Sequence, residues 1–143
     1  MRRSVPILSA LAALLVTSIA LAQLPRTPAP AGAQVYFISP KDGEEIAGPI
    51  TVRMGLKGMG VAPAGVEMKD TGHHHLLINV VTLPPMGENL PNDDQHRHFG
   101  NGQTEATITL PPGRHTLQLV LGDQNHIPHE PPVISPKITI TVK

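Results

Sequence analysis

The sequence predicts an all-β sandwich, and three observations carry that prediction. From residue 34 onward, short runs of β-branched and aliphatic residues alternate with turns rich in Gly, Pro, Asn and Asp. The runs at 50–56, 104–110 and 138–142 alternate with a period of two, which gives each a core face and a wet face. No stretch sustains a 3.6-residue apolar period with caps, so helices are expected to be absent or short. Six to seven mostly antiparallel strands in 34–143 then form an immunoglobulin-like or cupredoxin-like sandwich.

The chain of 143 residues is long enough for one such domain. Arg2 and Arg3, the apolar run 5–20 and the small residues Ala20 and Ala22 read as a secretory signal over 1–22. Residues 23–33, rich in Pro and Ala, are expected to be an extended linker. The first strand is expected at 35–39, stopped by Pro40-Lys41-Asp42-Gly43. Pro49 opens the second at 50–56, with Ile50, Val52, Met54 and Leu56 on one face. Segment 57–72 is glycine-rich and loop-like. A third strand at 74–82 is apolar on both faces for much of its length, as a central strand would be. The connection 83–94 is proline-rich and long for so small a domain, which is more common in functional loops. Strands at 104–110 and 114–121 flank the turn Pro111-Pro112-Gly113. Residues 123–136 are irregular, and Ile138, Ile140 and Val142 face inward in the last strand.

Composition narrows the function. Without Arg2 and Arg3 the chain carries 9 basic and 11 acidic residues, with no run of like charges. Neither nucleic acid nor, once the signal is cleaved, a membrane surface is an expected partner. Tyr36, Phe37 and Phe99 are the only aromatic residues, too few for a base-stacking platform. There is no cysteine, so disulfides, a lipid-anchored cysteine, a thiolate blue-copper centre and a cysteine nucleophile are all excluded.

Histidine is the one strong deviation: there are eight, and seven lie in three short clusters. On a strand, residues i and i+2 share a face about 6.5–7 Å apart, close enough for two imidazoles to share an ion. His73 and His75 are therefore a candidate pair, with His74 directed at the core. His96 and His98 repeat the spacing, near Gln103 and Glu105, which offer groups to orient an imidazole. His126 and His129 lie in a proline-rich loop with Asp123 and Glu130. His115, in register with Leu117 and Leu119, is expected to be a buried histidine satisfied by the protein. Imidazoles without thiolates suit copper or zinc, with affinity alone favouring copper. Met54, Met59, Met68 and Met86 are expected to serve as packing residues more than as soft ligands.

The motifs GHHHLLINV, HRHFGNGQTEATITLPPG and RHTLQLVLGDQNHIPHEPPVIS, in that order, resemble a family of small exported bacterial proteins described only as a domain of unknown function. The resemblance runs over 35–143 and implies an exported β-rich domain without implying a reaction. His96-Arg97-His98-Phe99-Gly100 also resembles, more distantly, the H-x-H strand of copper-zinc superoxide dismutases. The expected function is a periplasmic or secreted metal-binding protein for copper or zinc, acting in sequestration or in delivery to another periplasmic protein. Its ligands are expected among His73, His75, His96, His98, His126 and His129. Two alternatives stand beside it. One is a metal-dependent enzyme of dismutase, oxidase or hydrolase type, with Glu105 or Asp123 moving a proton. The other is a non-metal immunoglobulin-like partner-binding module.

Overall fold

The computed structural model describes residues 25–143, so the expected signal segment 1–22 lies outside the described residues. The described residues form nine strands: β1 (Gln34–Ser39), β2 (Glu45–Ile46), β3 (Ile50–Lys57), β4 (Gly60–Val61), β5 (Thr71–Ile78), β6 (His96–His98), β7 (Glu105–Ile108), β8 (Gly113–Gly122) and β9 (Ile138–Val142). They make an all-β sandwich of two sheets. One has three antiparallel strands in the order β1-β3-β7; the other runs β2-β9-β8-β5-β4, with β6 also paired to β5. The six longer strands overlap the six expected runs. The additional ones, β2, β4 and β6, have two or three residues each, too few to display alternation in sequence.

The core lies between the sheets. Val35, Ile50, Val52 and Met54 of the small sheet meet Leu76, Ile78, Leu117, Leu119, Leu121, Ile138, Ile140 and Val142 of the large one. Burying each aliphatic side chain stabilises the fold by roughly 1.5–3 kcal/mol. This layer holds the domain together without disulfides and with few aromatic rings. Met54 belongs to it and Met59 packs against it, while Met68 is exposed.

β5 is central, between β8 on one edge and β4 and β6 on the other. It begins at Thr71 and ends at Ile78, against the expected span of 74–82. Asn79 stops it by adopting a left-handed φ of 57°, a conformation asparagine tolerates better than most residues. Its Oδ1 accepts the Thr116 amide at 3.0 Å. Side chains alternate along β5. His74, Leu76 and Ile78 face the other sheet, whereas His73, His75 and Leu77 lie on the outer face. Loops cover that outer face, where Val80, Leu90 and Ile134 pack with Leu77 and Val120.

The expected linker is only partly a linker. From Pro25 the chain runs against the loop 123–131: Ala29 donates to the Glu130 carbonyl at 2.9 Å, and Glu130 donates to Thr27 at 2.9 Å. Proline-rich composition signals an extended backbone, which this segment has, but does not reveal that the extended chain has a partner.

Candidate metal centre

The first turn of β5 places three imidazoles in the most buried part of the large sheet; His73, His74 and His75 are 0 %, 0 % and 2 % exposed. Alternation sends His73 and His75 to the same side. β6 then pairs antiparallel with β5 so that His98 lies directly opposite His75. Cross-strand partners on one face approach closely, and the rings of His75 and His98 are 5.1 Å apart at their centres. The fourth ring, His126, arrives from the loop after β8. Its own φ is 65°. Its amide donates to the Asp123 carbonyl at 2.9 Å and its carbonyl accepts the Leu90 amide at 2.8 Å.

These four rings form a compact tetrahedral group. The centre-to-centre distances are 4.8 Å for His73–His75, 5.0 Å for His73–His98, 5.1 Å for His73–His126, 5.1 Å for His75–His98, 6.0 Å for His75–His126 and 4.6 Å for His98–His126. A metal–nitrogen bond of about 2.0–2.1 Å, with a ring centre about 1.2 Å beyond the nitrogen, puts tetrahedral imidazole centres about 5.2 Å apart. The arrangement already has those dimensions. Ligating nitrogens of His73, His98 and His126 lie within 4.8 Å of one another. His75 lies outside that trio, with its Nε2 3.0 Å from His73 Nε2. Two nitrogens that close must share one proton between them, or share an ion.

Three ring nitrogens of the group lack protein partners among the described residues. His73 Nδ1, His75 Nδ1 and His98 Nε2 are buried with no hydrogen bond. An unsatisfied buried polar atom costs about 1–3 kcal/mol, and three within one group of rings call for a ligand or water that satisfies them. Protons fit poorly. Burial, then the neighbouring rings, holds His75 down to about 2. Burial, with His126 and His98 next, holds His73 to about 4. Burial and then His126 also lower His98. His73, His75 and His98 are therefore neutral at pH 7, the form that binds metal. The Asp123 carboxylate acts on His73 in the opposite direction, supplying a nearby negative charge.

Two glycines make room for the rings. A Cβ on Gly100 would lie 2.3 Å from His98 Cε1, and one on Gly122 would lie 2.8 Å from His75 Nε2. Either position tolerates glycine alone unless the ring moves.

Of the six expected ligands, four converge and two do not. His96 Nδ1 pairs with Asp93 Oδ1 at 2.8 Å. His129 is fully buried, and its Nε2 donates to the Thr71 carbonyl at 3.1 Å, tying the late loop to the start of β5. His74 faces the inter-sheet core as expected, with both ring nitrogens unpartnered, and burial lowers it to about 4. His115 is a satisfied histidine: Nε2 donates to the Pro111 carbonyl at 2.7 Å and Nδ1 accepts from Asn79 Nδ2 at 2.9 Å. The acidic and amide partners differ from expectation. Glu105 lies on β7 in the other sheet and pairs with Arg53 at 2.7 Å. Gln103 Oε1 accepts the Asn101 amide and orients no imidazole. Asp123 caps its own loop, accepting the Asn125 and Ile127 amides on Oδ1 at 2.8 and 3.0 Å.

The family model described as "Domain of unknown function (DUF4399)" matches residues 52–143, and the chain belongs to that family. The match spans β5, β6, β8 and the loop after β8, and so includes all four converging histidines. No curated protein and no solved structure matched the chain.

Proposed function

We propose that this protein binds one transition-metal ion, zinc or copper, between His73, His75, His98 and His126, and that it sequesters or delivers that ion after export. The observation that carries this reading is the set of six ring separations, 4.6–6.0 Å, together with ligating nitrogens of His73, His98 and His126 that all lie within 4.8 Å of one another. A tetrahedral imidazole set suits zinc, which has no geometric preference of its own, and Cu(I). Cu(II) prefers a tetragonal arrangement and would have to flatten the group. Geometry thus moves zinc ahead of the copper that affinity order alone favours. Four protein ligands close a tetrahedral ion, whereas a catalytic ion keeps an open position. That supports storage or transfer over turnover.

The test is competitive titration of tag-free protein with Zn(II), and with Cu(I) under reducing conditions, at pH 7.5. Binding at micromolar or tighter Kd is expected, with a stoichiometry of one. His98→Ala is expected to weaken it more than the roughly 10- to 100-fold typical of an outer-shell change. His75→Ala separates the two coordination schemes. Loss of affinity supports the closed four-ligand site, and unchanged affinity supports a three-ligand site with an open position. Affinity no better than millimolar for both ions would end the reading.

A further inference from the structure

The segment that precedes β1 makes a set of contacts that its composition did not announce. Arg26 donates through Nε to the Pro128 carbonyl at 3.3 Å, and its guanidinium also reaches the His129 carbonyl and the Glu130 carboxylate. Thr27 Oγ1 donates to Asp123 Oδ2 at 2.7 Å. Pro28 bridges to Glu130 in parallel, between the amide bonds of Ala29 and Glu130. All of these partners lie in 123–130, the loop that carries His126. The Asp123 carboxylate is the hub. One oxygen takes Thr27, while the other holds the Asn125 and Ile127 amides on either side of His126. Asp123 is 1 % exposed, so loss of the Thr27 hydroxyl leaves a carboxylate oxygen that water reaches poorly.

His126 needs such support more than the other three rings. His73, His75 and His98 stand on paired strands, whereas His126 stands on a loop with a left-handed backbone. A ligand on a loop keeps its geometry only if its surroundings fix the loop. We infer that residues 26–30 form a latch whose contacts from Arg26 and Thr27 position His126 and so set the affinity of the metal site. This rests on the metal-binding reading above. Arg26 and Thr27 are positioning residues, since neither touches the four rings. Displacing the arm frees the one ligand that is not on a strand, which gives a route for handing the ion to an acceptor.

The experiment compares wild-type protein with Thr27→Val, Thr27→Ser and Arg26→Ala by competitive Zn(II) titration, with amide hydrogen exchange followed in parallel. Thr27→Val and Arg26→Ala are expected to raise Kd about 10-fold or more, in the range typical of outer-shell changes, and to speed exchange at Asn125 and Ile127 while protection in β5 and β8 is retained. Thr27→Ser keeps the hydroxyl and is expected to bind as wild type does. In a His126→Ala background, Thr27→Val is expected to have no further effect on Kd, because its influence runs through that ring; a merely structural role would persist there. Wild type that binds while both arm variants bind within twofold of it would overturn the latch and leave the metal site standing. Wild type that bound neither Zn(II) nor, in the same titration, Cu(I) would overturn both. A variant that lost β5 and β8 protection along with affinity would count against a local latch.

Discussion

The chain holds its histidines in two contrasting ways, at His115 and in the four-ring group. His115 spends both ring nitrogens on the protein, one donating to Pro111 and one accepting from Asn79. That fixes its tautomer and leaves nothing over for a ligand. His73, His75 and His98 do the reverse: they face one another and keep nitrogens without partners. His115 is buried like His73 and His75, so burial does not distinguish the two kinds. What distinguishes them is whether the protein partners both ring nitrogens. His115 is satisfied by its surroundings; the group keeps nitrogens that the protein does not partner, as does His74 in the core.

The largest effect that would sharpen this contrast is pH dependence of the metal-free fold. His74 is lowered by burial from 6.5 to about 4. Between those values the unfolded chain binds a proton that the folded chain refuses, so stability rises with pH there. The stabilisation is fully present above about 6.5 and is lost as pH falls toward 4. His74 alone accounts for about 3 kcal/mol of that loss, and His73 and His75 titrate in the same direction. Thermal melts of metal-free protein from pH 7.5 to 4 are expected to show a steep fall. His74→Leu, similar in bulk and lacking a titrating nitrogen, is expected to flatten it. Equal slopes for the two proteins would contradict the account of His74 as a buried, uncharged core residue.

The second effect is smaller and lies on the other side of the contrast. His115→Ala leaves the Pro111 carbonyl and the Asn79 amide without their ring partner, at a cost of about 1–3 kcal/mol. Metal affinity should stay within twofold of wild type, because the side chain contributes to β8 and not to the cluster. A large loss of zinc binding without loss of stability would remove the distinction between the two kinds of histidine.

Much of this was legible in the sequence, for identifiable reasons. Period-two runs at 50–56, 104–110 and 138–142 exposed the sandwich because each strand has one wet face. The same alternation separated His74 from His73 and His75. Convergence of His98 and His126 was a different matter, since it depends on the register of β6 against β5 and on a loop with a left-handed residue. Spacing alone treats His96 like His98 and His129 like His126. The difference arises from neighbours far along the chain or hidden in backbone: Asp93 takes the ring of His96, and the Thr71 carbonyl takes the ring of His129. The latch was illegible because Thr27 and Asp123 are 96 residues apart in sequence.

The smallest effect tests the catalytic alternative, in which Glu105 would move a proton at the metal. Its carboxylate instead pairs with Arg53 at 2.7 Å across β3 and β7, with both side chains more than half exposed. An exposed pair of this kind contributes at most about 1 kcal/mol, less at high salt. Glu105→Gln is therefore expected to lower the melting temperature slightly or not at all and to leave Zn(II) affinity within twofold. The pair joins two strands of the small sheet, whereas β5, β6 and β8 of the large sheet carry three of the rings and lead into the loop of the fourth. Tight coupling between the two would require the core to transmit the loss of a surface charge. A tenfold change in affinity on Glu105→Gln would show that the sheets communicate and would return the enzymatic reading to consideration; an unchanged titration curve confines the chemistry to the outer face of the large sheet.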